Sequence, residues 1–154
     1  MEIRTILLPT DFSEFARGAA PVAAEFARLL GARLLCLHVV EPVVPPVGWT
    51  PAGELLPVAD FGGQLDEAAA RELPAFTRGD ELAGLEVEEV VTHGEPASEI
   101  VRVAEERGVG LIVISSHGRT GLGRIIFGST AESVVRHARC PVLVVKPGKV
   151  MSNE

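Results

Sequence analysis

Gly110-Leu111-Ile112-Val113-Ile114-Ser115-Ser116-His117-Gly118 is an apolar run that closes in a small polar turn. Leu111 to Ile114 has no polar alternation and reads as a strand buried on both faces, the signature of a central strand in a parallel sheet. Behind it comes Gly118-Arg119-Thr120-Gly121-Leu122-Gly123-Arg124-Ile125-Ile126-Phe127-Gly128-Ser129-Thr130, a glycine-bracketed loop that opens into a helix from Ser129 to about Ala138. Backbone N–H groups converge only where side chains do not intrude, and a helix start adds unpaired donors and a positive dipole end. The strand fixes the fold class, and the loop behind it is shaped to hold an anion.

Outward from this strand, short apolar runs alternate with amphipathic stretches, the pattern of parallel strands covered by helices. Strands are expected at Ile3 to Leu8, Arg33 to Val40, Leu85 to Val91, Gly110 to Ser115 and Val142 to Lys146. Phe12, Phe15, Ala16, Ala19, Val22, Ala23, Phe26, Ala27 and Leu30 form one helical stripe that Gly31 ends, and Pro21 either kinks this helix or marks its true start. Further helices are expected over Gln64 to Leu82, despite Pro74 and Gly79, and over Pro96 to Arg107, with Ile100, Val101 and Ala104 inward. The last helix should bury Ala131, Val134, Val135 and Ala138. Pro42 to Asp60, with five prolines and the single Trp49, escapes this rhythm and is either a lid or a surface excursion.

The 154 residues fit one domain, 1–148, with a tail at 149–154. A net charge of −7 argues against a general affinity for nucleic acid or anionic membrane. Gly110 to Ala131 nevertheless holds two arginines and no carboxylate, which favours a small anion. Cys36 and Cys140 lie in apolar runs, outside any metal-binding or disulfide spacing, and read as buried thiols. The N-terminus carries no apolar leader and no segment is long enough to span a bilayer, so a cytoplasmic protein is expected.

In a doubly wound sheet, ligands settle at the carboxyl ends of the strands where the strand order reverses. Pro9-Thr10-Asp11 follows the first strand and Ser115-Ser116-His117-Gly118 the fourth, so the two loops meet if those strands are neighbours. Gly118 can take positive φ, Gly128 admits close approach of a phosphate, and Ser129 and Thr130 add hydroxyls. Ser129 and Glu132 also satisfy an S-x-x-E capping box, which needs no ligand, and Asp11 also suits an N-cap. Neither GxxxxGK[ST] nor a GxGxxG after the first strand is present. His38 reads as structural, and His117 has no nucleophile and orienting group beside it, so no catalytic residue is assigned.

Gly118, nine residues and Gly128-Ser129 resemble the G-x2-G-x9-G-[ST] pattern of nucleotide-binding universal stress proteins, with Ser115 standing where the pattern begins with glycine. The resemblance extends to Ile6-Leu7-Leu8-Pro9-Thr10-Asp11-Phe12-Ser13, Leu37-His38-Val39 and Pro141-Val142-Leu143-Val144-Val145-Lys146. It implies an open five-stranded parallel α/β sheet in the order 3-2-1-4-5, flavodoxin-like in its three layers. It also implies an ATP site, with or without Mg²⁺, formed by Pro9, Thr10, Asp11, Val39, Ser115, Gly118, Arg119, Gly128, Ser129 and Thr130. Val39 would offer its backbone to adenine, the glycine loop would hold the phosphates, and Asp11 would serve ribose or nucleotide-bound Mg²⁺. No metal is held by protein side chains alone, and any ATP hydrolysis should be slow. The resemblance further implies a homodimer through the last strand, Val142 to Lys146, and a stress-response role exercised through nucleotide-dependent partner or dimer contacts. The alternative is a family member that acts as an interaction dimer without nucleotide.

Overall fold

A computed structural model describes residues 1–43, 51–54, 61–117 and 127–148. Trp49, Gly118, Arg119 and the tail at 149–154 lie outside the described residues. In chain order the elements are β1 (Thr5–Pro9), α1 (Glu14–Leu30), β2 (Arg33–Val40), α2 (Phe61–Thr77), a 3₁₀ turn at Asp80–Leu82, β3 (Val87–His93), α3 (Pro96–Glu106), β4 (Leu111–Ser115), α4 (Ser129–His137) and β5 (Val142–Val145). All five strands run parallel in the order β3-β2-β1-β4-β5, as the sequence predicts.

The sheet is covered on both faces. Ile6, Leu8, Leu34, Cys36 and Val113 pack with α1 and α2 on one side, and Leu7, Leu35, Leu37, Ile112 and Ile114 pack with α3 and α4 on the other. Alternate residues of one strand therefore enter opposite cores, which explains the unbroken apolar runs at residues 6–8, 34–37 and 111–114 of the inner strands. Cys36 is fully buried, and burial, with the Glu89 carboxylate adding to it, pushes its thiol up to about 12. Cys140 is only half-buried, against the expectation from its apolar neighbours, because it sits at the approach to the edge strand β5.

Helix α1 begins at Glu14, and the Ser13 side chain caps it by accepting from Ala16 N. Pro21 lies inside the helix and does not begin it. It occupies the exposed face, so the donor it removes from the carbonyl of exposed Arg17 is lost where solvent is at hand. Gly31 closes the helix at φ 61°, a left-handed conformation that glycine adopts without steric cost. The buried face is made of Ala16, Ala19, Ala20, Ala23, Ala24 and Ala27. Phe15 and Leu30, expected in the stripe, are 37% and 46% exposed because the alanine face sits closest to the sheet.

Other boundaries shift for local reasons. Helix α2 runs through Pro74 and ends at Thr77, with Asp80–Leu82 forming a separate turn. Leu85 N is held by Leu82 O and Gly84 turns at φ 78°, so β3 starts two residues late and runs on to His93, paired with Val40. In α3, Val103 and Ala97 join Ile100 and Ala104 in the core while Val101 is half-buried. Val135 of α4 is 50% exposed and Ala138 half-buried, since the helix presents Ala131 and Val134 to the sheet. Ser13→Ala removes the α1 cap and should cost about 1 kcal/mol. Chemical denaturation should show a lowered midpoint at unchanged slope, and an unchanged midpoint would refute the capping role.

Candidate functional site

Where β1 stops, the sheet opens. Residues of β1 with the parity of Leu7 face β4, and the next residue of that set is Pro9, which has no N–H to continue the ladder; pairing with β4 ends at Leu7↔Ile112. On the other side the last rungs are Pro9↔Leu37 and Thr10 N donating to Leu37 O at 2.8 Å. The rung that would follow joins Val39 N to Thr10 O. Instead the Thr10 carbonyl accepts from His38 Nδ1 at 2.8 Å. Val39 shares the parity of Leu37, so its main-chain N–H and C=O turn toward the space that β1 has left.

That space is a cavity of about 380 Å³, within the usual range for small-molecule sites. Pro9, Thr10, Asp11, Val39, Ser115, Gly128, Ser129 and Thr130 all line it, so the structure brings together every expected site residue that it describes. The first and fourth strands are neighbours, and their two loops meet across this crevice. Gly118 and Arg119 lie outside the described residues. Leu37, His38, Glu41, Val43, Leu65, Ser116 and His117 also line the cavity. Of these, His38 left a trace in the sequence, as a polar residue at the end of an apolar strand. Leu65 left none, because its place depends on how α2 docks.

Local turns shape the floor. Thr10 Oγ1 accepts from Phe12 N at 3.1 Å, and Asp11 Oδ1 accepts from Ser13 N at 3.0 Å and from Ser13 Oγ at 2.5 Å. Asp11 is therefore not the N-cap of α1. Ser13 is, and Asp11 braces it. Phe12 stands at φ 65°, the only non-glycine residue with positive φ among the described residues. Such a conformation is strained for a bulky side chain and persists only where packing demands it. Its ring stacks on His38 at 4.3 Å and meets Phe76 edge-on at 6.5 Å.

Two helix starts border the cavity and differ in occupancy. At α3, the Glu95 carboxylate accepts from Ala97 N at 3.2 Å and Ser98 N at 2.8 Å, so that end holds its own anion. At α4, Gly128 is the N-cap, and among the described residues no side chain caps the first turn. The predicted Ser129/Glu132 capping box is therefore not formed: Ser129 is already the first helical residue, and Glu132 is turned onto Arg136 at 2.9 Å. A carboxylate held over the helix start would repel an anion there, and the pairing with Arg136 draws Glu132 along the helix instead. Gly128 has φ −68° and ψ 159°, so its contribution here is the missing side chain and not a left-handed turn.

Ser115 ends β4 in ordinary strand geometry, with its hydroxyl donating to His117 O at 2.9 Å. Ser116 is fully buried, bonds His117 Nδ1 through Oγ at 2.8 Å and accepts from Gly128 N at 2.6 Å through its carbonyl. The last contact ties the α4 start to the end of β4. Among the described residues no group of three His, Cys, Asp or Glu is placed to hold a metal. No described helix is long and apolar enough to cross a membrane.

A doubly wound parallel sheet with helices on both faces and a crevice at its switch point defines a three-layer α/β protein. Residues 2–146 match the universal stress protein family model, and the chain belongs to that family. It is 36% identical to universal stress protein MJ0531 of Methanocaldococcus jannaschii, over 95% of this chain and 84% of that protein. The solved structure of MJ0577 from the same organism superposes with a TM-score of 0.77 at 29% identity, covering 96% of this chain and 99% of that one. A universal stress protein of Archaeoglobus fulgidus, solved in complex with dAMP, matches with a TM-score of 0.62 at 27% identity, covering 95% and 100%.

The Glu95 cap has a pH signature. Its hydrogen bonds from the Ser98 side chain and backbone, with a smaller one from Ala97, hold the carboxyl below its ordinary value against a modest opposing effect of burial. A depressed folded value stabilises above the unfolded value and is lost as pH falls through the folded one. Glu95→Gln should melt below the native protein near neutrality, and the gap should shrink as pH falls below about 4. A pH-independent gap would exclude the carboxylate as its source.

Proposed function

We propose that this protein is a cytoplasmic universal stress protein that binds an adenine nucleotide, ATP with or without Mg²⁺, in the crevice between β1 and β4. The observation that carries the reading is the coincidence, around one cavity, of the open main-chain edge at Val39 and an α4 start whose glycine N-cap offers no capping side chain. An amide-like N–H and C=O pair in an apolar wall suits the Watson–Crick edge of adenine. The α4 start, with Ser129 and Thr130, supplies donors and dipole to a phosphate. Asp11 is assigned to ribose or to nucleotide-bound Mg²⁺, Pro9 and Thr10 to the wall, and Gly118 and Arg119 to the phosphates. The dAMP complex of the Archaeoglobus relative supports the adenine assignment for that protein and, by kinship, here.

Calorimetric titration with ATP, with and without Mg²⁺, is expected to give saturable binding, and GTP to bind at least tenfold more weakly, about the worth of one lost hydrogen-bonded match. Absence of heat at millimolar ATP would overturn the reading and leave the interaction-dimer alternative. That alternative is favoured only by Ser115, whose hydroxyl is turned into its own loop.

A homodimer through β5 is part of the proposal. The two sheet edges differ: β3 carries Glu88 and Glu89, with Glu88 paired to Arg33 and Arg107, whereas Val142–Val145 is an uncharged, half-buried strand. Charged edges resist strand addition and bare apolar ones invite it. Pro141 O and Val145 O accept from β4, so Val142 and Val144 direct their main-chain groups away from the sheet. Val144→Pro removes an outward N–H without touching a β4 rung. Sedimentation at micromolar concentration should show a native dimer and a folded monomeric variant, and a native monomer would refute the arrangement.

A further inference from the structure

We propose that His38 is a positioning residue that keeps the Val39 edge available to ligand by withholding the Thr10 carbonyl from it; this rests on the nucleotide reading above. A carbonyl oxygen only accepts, so at 2.8 Å the His38 Nδ1 carries the proton and donates. Thr10 O is the acceptor that Val39 N would meet if the β1–β2 ladder ran one rung further than Pro9↔Leu37. With that acceptor taken, the ladder stops and the Val39 N–H has no strand to pair with.

The imidazole is suited to this task by its surroundings. His38 is 8% exposed and part of the cavity wall, so its donor competes little with water. Its ring is gripped by Phe12, whose strained backbone at φ 65° turns the loop out of the β1 direction immediately after Asp11. Phe12 is itself backed by Phe76 of α2. Stacking fixes the ring plane, and the fixed ring fixes which partner the Thr10 carbonyl takes. A residue at this place without a donor would leave a buried carbonyl unpaired, and the next N–H of the β2 ladder able to satisfy it is that of Val39.

The test compares native protein, His38→Phe and His38→Asn. Phenylalanine keeps a stacking ring without a donor, and asparagine keeps a donor near the Nδ1 position without the ring. Amide hydrogen exchange at Val39 without ligand should be fast in native protein and in His38→Asn, and slowed in His38→Phe as the extra rung forms. ATP should slow Val39 exchange in the native protein. ATP affinity by calorimetry should fall roughly tenfold in His38→Phe and stay within about threefold in His38→Asn. Should His38→Phe fail to fold, the native protein decides the matter: a Val39 amide already protected without ATP overturns the inference. Equal ATP affinity in folded His38→Phe and native protein also overturns it while leaving the nucleotide reading intact. Failure of native protein to bind ATP would instead strike the reading itself.

Discussion

Strand β1 pairs with β2 on one side and β4 on the other, and both ladders end within two residues of each other for different chemical reasons. Toward β4 the ladder lacks a donor, because Pro9 has none to give. Toward β2 it lacks an acceptor, because the Thr10 carbonyl is held by His38. Connections on one side of β1 carry their helices to one face of the sheet, and those on the other side to the opposite face. Among the described residues no helix therefore lies across the end of β1, and the interrupted ladders leave backbone groups facing the cavity. The crevice is thus a consequence of pairing that stops.

Three carboxylates around the crevice are engaged by the protein's own groups. Glu95 serves α3, Glu132 is drawn along α4 to Arg136, and Asp11 braces Ser13 at the start of α1. The start of α4 alone is left without a capping side chain among the helix starts whose caps are described. Burial adds to the effect, since Ser116 and Thr10 are nearly inaccessible and hold the loop backbones in place through short, local bonds.

The inner strands are legible in the sequence because each holds a short unbroken apolar run bounded by polar or turn residues, the pattern of a strand buried on both faces. The edge strand β3 is less so: its limits follow the rungs to β2 and the Gly84 turn, and Thr92 and His93 look like loop residues. In α1 the alanines decide the contact face through closeness of approach, so Phe15 stays exposed while Phe26 packs against the core. The loops at the site are readable because small residues at strand ends have few other uses. Long-range partners are not. That His38 reaches back to Thr10, that Phe12 accepts positive φ, and that Leu65 of α2 closes one wall all depend on how separate elements meet.

The unlike edges of the sheet carry a last implication. A sheet with two bare edges can recruit a neighbour at each and lengthen without limit, which is the geometry of a fibre. Here Glu88, Glu89 and the two arginines paired to Glu88 guard the β3 edge, so the pairing proposed at β5 would add one neighbour and stop.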